Sequence, residues 1–287
     1  MRKYVIFTDS SADLTREMSD QLGIRTIQLD VILDGEKPAA NDKVDIKEFY
    51  GKLRDKKGAT TAAVGMERFY SIFEKAVQEG LDVLYLGFSS GLSSTFNAAA
   101  VAMNELGEKY PDRKLYAVDT LCASMGQGLL VYHACKLKEN GADIDTVKTY
   151  VENNRLHLSH WFTVDDLFFL KRGGRVSAAT AMVGSLLNIK PVLHVDNAGK
   201  LINVSKARGR KASIDAMFAK MKATALPDQN SVVFISHGDC IEDAEYLAEL
   251  VRKEFSPKQI EINYIGPVIG AHSGPGTLAL FFLATER

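Results

Sequence analysis

The run Val83-Leu-Tyr-Leu-Gly-Phe88 carries no charged side chain and stops at a hydroxyl-rich turn holding Ser89, Ser90, Gly91, Ser93, Ser94 and Thr95. An unbroken apolar run bounded by a turn signal reads as a central strand of a parallel sheet, buried on both faces. The helix that follows opens among these hydroxyls, where its first N–H groups lack intrahelical partners. Backbone donors, hydroxyls and the helix dipole can then converge on an anion such as a carboxylate or a phosphate. A plain strand–loop–helix with capping serines is the simpler alternative.

The rest of the first half repeats the pattern. Tyr4 to Phe7 reads as a strand, Thr15 as the cap of a helix to about Gln21, and Ile24 to Leu33 as a strand. Asp45 opens a helix, Gly58 to Gly65 reads as a small-residue loop, and Met66 to Gly80 has helical period. Leu115 to Val118 is the next strand, ending at Asp119, and Ser124 opens an apolar helix to about Glu139, with another over Ile144 to Asn153. Strands alternating with helices predict a doubly wound parallel sheet, with the loops at Asp9, Ser89 and Asp119 on one rim. The second half differs. Strands are expected near Leu156–Phe162, Ile189–Val195, Lys200–Ala207, Ser231–Ser236, Ile260–Ile265 and Thr277–Leu283. Helices are expected over Val164–Leu170, Ala178–Leu187, Arg210–Thr224 and Glu242–Phe255, and a glycine-rich segment over Gly270–Gly276. The fold class is therefore α/β in two domains. Residues 1–155 form a Rossmann-like parallel sheet with an anion loop, and residues 156–287 form an α/β domain with a mixed sheet.

A chain of 287 residues is long enough for two such domains. Its formal net charge of -1 lacks the basic excess expected of a nucleic-acid binder. The segment from Met1 to Asp9 does not read as a signal peptide, and no run approaches the ~18 apolar residues of a membrane span. Cys122, Cys135 and Cys240 are few, odd in number and widely spaced, which suits a reducing cytoplasm and gives no zinc spacing.

Several clusters carry candidate chemistry. Gly87-Phe-Ser-Ser-Gly91 fits the G-x-S-x-G of a hydrolase elbow, with Ser89 as nucleophile and Asp119, His237 or His272 as triad partners. No HGGG-type oxyanion segment accompanies it. Around His272, Gly266, Gly270, Gly274 and Gly276 let the backbone approach a ligand, although a structural histidine capping a turn reads equally from the residues. Lys171, Arg172 and Arg175 form one basic cluster, and Lys206, Arg208, Arg210 and Lys211 another. Each reads as a solvated face or as a dock for an acidic or phosphorylated partner. Thr8, Ser10 and Ser11 add hydroxyls that fit turns after a strand better than a pocket mouth. The helix expected over 178–187 mixes small and large apolar residues, as a greasy tunnel wall or a tight packing face would. No P-loop or G-x-G-x-x-G follows a strand, so no nucleotide site and no cofactor is expected.

Taken together, the segments resemble the DegV family, fatty-acid-binding proteins that serve bacterial fatty acid kinase. Thr8-Asp-Ser-Ser-Ala-Asp-Leu14 is similar to its opening T-D-S-[ST]-A-D-L, and Ser89-Ser-Gly-Leu-Ser-Ser-Thr95 to its S-S-x-L-S-G-T. Asp119-Thr120 with Ser124, Gly126 and Gly128 resembles D-[ST]…S-x-G-x-G. Leu170 to Ser177 resembles L-x-[KR]-G-G-R-[IV]-S, Ile189-Lys-Pro191 resembles I-K-P, and Ile269 to Gly276 resembles I-G-x-H-x-G-P-G. Where the family often has T-S-Q-P-S, this chain keeps Thr61 but carries Ala62, Ala63 and Val64, so contacts from that serine or glutamine are lost.

The resemblance implies a carrier, not an enzyme, with a long-chain fatty acid held between two domains. Its carboxylate would meet Thr61, Ser93 and His272, with Ser89, Gly91, Thr95, Gly270 and Gly274 supporting the ligand loops. The tail would fill an apolar tunnel largely in the second domain. Arg175 and Arg208 match positions that face a dihydroxyacetone-kinase-like fatty acid kinase, which would make the acyl phosphate for phospholipid metabolism. Nucleic-acid binding and stable membrane insertion are not expected. A serine hydrolase acting on acyl or ester substrates through Ser89, and a binder of a phosphate ester or polar metabolite, remain the alternatives.

Overall fold

A computed structural model describes residues 2–177 and 188–287; the helix expected over 178–187 lies outside the described residues. The first half runs β1 (Tyr4–Asp9), α1 (Arg16–Gln21), β2 (Arg25–Ile27), β3 (Asp30–Leu33), β4 (Ala39–Ala40), α2 (Ile46–Arg54), β5 (Ala59–Ala62), α3 (Met66–Gln78), β6 (Asp82–Gly87), α4 (Thr95–Lys109), β7 (Leu115–Asp119), α5 (Met125–Glu139) and α6 (Ile144–Asn154). The second runs β8 (Leu158–Thr163), α7 (Phe168–Arg172), β9 (Ile189–Val195), β10 (Leu201–Arg208), α8 (Arg210–Thr224), β11 (Val232–His237), α9 (Ile241–Phe255), β12 (Gln259–Tyr264), α10 (Pro267–Ser273) and β13 (Leu278–Leu283).

Three sheets result. The first has the order β2-β1-β6-β7 and is parallel throughout. The second has the order β10-β9-β8-β13-β11-β12 and is antiparallel except for the β11–β12 pair. A small antiparallel sheet joins β4, β3 and β5.

Side-chain alternation along the strands sets the layers. On one face of the parallel sheet, Val5, Phe7, Val83 and Tyr85 pack with Phe69 and Phe73 of α3 and Ala99 and Ala102 of α4. On the other, Ile6, Leu84 and Leu86 pack with Leu129 and Leu130 of α5 and Val147 and Val151 of α6. The same core continues into Phe162, Leu193, Phe234 and Phe281 of the mixed sheet, so α5 lies between the two large sheets. The outer face of the mixed sheet packs Ile235, Leu280 and Phe282 on Ile214 and Met217 of α8 and Leu247 and Val251 of α9. Among the described residues, no helix is long and apolar enough to cross a membrane.

Helix starts follow local chemistry. Thr15 accepts the Met18 N–H at 3.0 Å and Asp45 the Glu48 N–H at 2.8 Å, as side-chain caps do. Other expectations are corrected. The strand expected over Ile24–Leu33 is two strands in different sheets, β2 and β3. The loop expected over Gly58–Gly65 contains β5, because Ala59–Ala62 pairs with Leu33–Asp30 across the small sheet. The segment with His272 begins as the helix α10, since Pro267 at its first position needs no N–H partner there. The helix expected over Val164–Leu170 forms later, at Phe168–Arg172.

Candidate functional site

At the rim of the parallel sheet, one buried carboxylate organises the loops. Asp9, wholly buried at the end of β1, accepts from Tyr85 Oη (2.6 Å), Phe88 N (3.0 Å) and Gln127 Nε2 (3.3 Å) through one oxygen, and from Ser11 N (3.1 Å) through the other. Two strands along the same rim, Asp119 accepts the Leu121 N–H at 2.9 Å and the Ser90 N–H at 3.3 Å. Ser10 Oγ accepts the Leu29 N–H and Thr8 Oγ1 donates to Leu86 O, so these hydroxyls serve the backbone.

These loops roof a cavity of about 310 Å³ between the rim and the mixed sheet. Its mouth is polar, lined by the partly exposed Thr61, Ser93, Ser94, Arg175 and His272. Its interior is mainly apolar, with Phe88, Phe162, Val195, Leu201, Ala279 and Phe281 among the lining residues, joined by the buried Ser124, His160 and Thr277. A cavity of this size and lining is that of a small-molecule site.

Thr61, Ser93 and His272 come from three distant segments, β5, the turn before α4 and the last turn of α10, and all line this mouth. Thr61 Oγ1 and His272 Nε2 are hydrogen-bonded at 2.8 Å. Ser93 Oγ accepts the Thr95 N–H at 3.2 Å and lies 2.9 Å from Thr95 Oγ1, a local bond that shapes the turn before α4, whose capping position is Ser94. Burial, aided by the positive charges of Arg175 and Arg172, lowers the His272 imidazole from 6.5 to about 4, leaving it neutral at neutral pH. Its Nδ1 is sealed against Gly173, where a Cβ would stand 2.3 Å away, and has no hydrogen-bond partner among the described residues.

The supporting positions divide. A Cβ on Gly91 would lie 2.5 Å from Ala198 O, and one on Gly270 2.7 Å from Tyr50 Oη, so both permit close packing behind the mouth. Gly274 has φ of 79°, a left-handed conformation that glycine adopts without strain. Arg175 lines the cavity half-buried, and its guanidinium donates to Leu92 O (3.2 Å) and to Gly173 O. Arg208 is exposed at the end of β10, away from the cavity lining.

The hydrolase elbow does not assemble. Ser89 is buried, donates its hydroxyl proton to Gly199 O at 2.8 Å and accepts the Gly91 N–H at 3.2 Å. Its expected partners are engaged elsewhere: Asp119 with backbone amides, His237 Nδ1 with the Cys240 N–H (3.2 Å), and His272 with Thr61. No imidazole hydrogen-bonds Ser89, so no base is placed to activate it.

Sequence reasoning passed over the cavity floor. His160 and Phe281 meet edge-to-face there, with centroids 5.4 Å apart. His160 Nδ1 bonds Leu158 O, and its Nε2 abuts Gly126 of α5, where a Cβ would stand 2.1 Å away. The signal was a histidine in the middle of a buried strand, but Gly126 and Phe281, the residues that enclose its ring, lie over thirty positions distant. Gly126→Ala is expected to cost about 1.5 kcal/mol by overpacking this contact. A urea midpoint equal to that of the parent protein would show that His160 yields freely.

The family model described as "Uncharacterised protein, DegV family" matches residues 3–285. The chain belongs to the DegV family. A DegV domain-containing protein of Clostridium perfringens is 47% identical over 289 residues, covering 100% of this chain and 99% of the relative. A DegV family protein from Thermus thermophilus, whose structure is described as showing fatty acid binding, superposes with a TM-score of 0.87 at 29% identity, covering 99% of this chain and 100% of that one. A DegV lipid binding protein from Thermotoga maritima superposes with a TM-score of 0.86 at 30% identity, covering 99% of both chains. The DegV fold thus brings Thr61, Ser93 and His272 to one mouth in this chain, over an apolar interior.

Proposed function

We propose that this DegV protein binds one long-chain fatty acid, with its carboxylate at Thr61, Ser93 and His272 and its tail in the apolar interior. The observation that carries this reading is the cavity itself: hydroxyls and a neutral imidazole at the mouth, aromatic and aliphatic walls behind. Each buried CH₂ contributes about 0.8 kcal/mol, so a long tail supplies most of the affinity. The polar mouth offsets the cost of desolvating the carboxylate. The fatty-acid and lipid binding described for the two solved relatives supports the same ligand class. In this reading residues 1–155 present most of the head-group loops, and residues 156–287 supply most of the apolar wall.

The protein acts as a carrier and not as the enzyme. It presents the carboxylate to a separate fatty acid kinase with a dihydroxyacetone-kinase-like subunit, which forms the acyl phosphate for phospholipid metabolism. Arg208 is exposed for docking such a partner, and Arg175 reaches the mouth from the adjacent cluster.

Native mass spectrometry of the freshly purified protein, followed by organic extraction, tests the ligand. A fatty acid at near-stoichiometric level is expected. An empty protein that also fails to take up oleate or palmitate would overturn the carrier reading. Hydroxylamine trapping of acyl phosphate, formed only when kinase and ATP are added, tests the second step.

A further inference from the structure

Asp13 lies outside the polar mouth, where several elements meet. It follows the 3-10 turn Ser10–Ala12 with φ of 52°, a left-handed conformation that aspartate tolerates. Its side chain is buried, 5% exposed. Oδ1 accepts the N–H of Gly266, the residue that precedes α10, at 3.0 Å. Oδ2 lies 2.5 Å from Ser124 Oγ, which in turn lies 3.0 Å from Ser236 Oγ at the end of β11. The backbone carbonyl accepts from Asn263 Nδ2 of β12 at 2.7 Å. One carboxyl therefore ties the start of α10, the helix that carries His272, to Ser124, which lines the cavity.

Among the described residues, the surroundings offer no counter-charge. The titratable groups acting on Asp13 are Asp9 from β1 and Tyr50 from α2, and neither brings a positive charge. The other neighbours, on α5, β11, β12 and α10, contribute Ser124, Ser236, Asn263 and the Gly266 amide. Burial raises the carboxyl from 3.8 to about 7, against the lowering effect of the bonds from Ser124 and Gly266.

We propose that Asp13 is a positioning residue: protonated, it clasps α10 to Ser124 and keeps His272 over the cavity, and its ionisation loosens that clasp and weakens the grip on the fatty acid. This inference rests on the binding role proposed above. In the neutral acid, one oxygen accepts from Gly266 and the O–H donates to Ser124. In the carboxylate, Ser124 turns its hydroxyl to donate to Oδ2, which favours the charge, but burial outweighs this and the charge faces Asp9 without a cation, so an opened junction that admits water is favoured. The closed form holds the proton more tightly than the opened one. Its advantage is complete below the ordinary carboxyl range and is lost as pH rises through about 7.

The test is the Kd of cis-parinaric acid, a fluorescent fatty acid, across neutral pH for the parent protein, Asp13→Asn and Ser124→Ala. Asparagine reproduces the neutral acid, with an oxygen for Gly266 and an N–H for Ser124, so its Kd should lack the Asp13-linked component. The ratio of parent to Asp13→Asn Kd should rise about fivefold across the transition, within the tenfold per pH unit that one linked proton permits. The probe's own ionisation cancels in that ratio. Ser124→Ala removes a bond that favours the carboxylate, so its transition should move to higher pH, an effect that a merely structural Asp13 would not produce. A pH-independent ratio overturns the proposal; if Asp13→Asn does not fold, an unmoved Ser124→Ala transition does so. Folded parent protein that binds no parinaric acid at any pH overturns the binding role itself.

Discussion

Asp9→Ala is expected to destabilise the protein by about 4 kcal/mol, because it strands several buried donors at once. Tyr85 Oη, Phe88 N and Ser11 N lose their shared acceptor, and Gln127 Nε2 keeps only its bonds to Thr8 and Leu86. Each stranded donor costs about 1–3 kcal/mol, and water entering the space left by the carboxylate recovers part of the sum. Asp9→Asn keeps one acceptor oxygen but turns an amide N–H₂ toward other donors, so an intermediate loss is expected. Urea unfolding measures both. A loss below 1 kcal/mol for the alanine variant would mean that the rim loops hold their shape without this carboxylate.

His272→Ala is expected to weaken fatty-acid binding roughly sixtyfold while leaving the fold in place, since hydrogen bonds to a charged group contribute about 1.5–3 kcal/mol each. Stability should change little, because alanine also removes the buried Nδ1, which has no partner among the described residues. Thr61→Val tests the other member of the pair. If the ring and the hydroxyl bind the carboxylate as a unit, the double variant loses less than the sum of the two single losses. The readout is displacement of a fluorescent fatty acid at pH 7.5, where the His272 ring is neutral. Parent-like affinity in His272→Ala would place the carboxylate elsewhere.

Much of this molecule could be read from local chemistry. The uncharged run before Ser89, the capping Thr15 and Asp45, and the strand–helix alternation each depend on neighbours within a few positions. They anticipated the parallel sheet, its rim loops and the hydroxyl-rich start of α4. The resemblance of six ordered motifs pointed to the DegV family, which the match over residues 3–285 shows.

Where several readings stood open, pairing between distant segments settled the geometry. Ala59–Ala62 looks like a loop alone and is a strand because β3 offers it an edge. Gly87-Phe-Ser-Ser-Gly91 looks like a nucleophile elbow alone, yet the Ser89 hydroxyl donates a hydrogen bond to Gly199 O, 110 positions away. Asp13 and Ser124 are ordinary polar residues until the fold buries them together without a cation. Propensity, capping and periodicity act over one or two helical turns, so the sequence by itself determined most of the described elements, their order and the polar groups at their ends. Burial, proton affinity and hydrogen-bond partners depend on which surfaces meet. Only the tertiary structure decided that Thr61, Ser93 and His272 share one mouth, that Ser89 stands behind it, and that Gly126 makes room for His160.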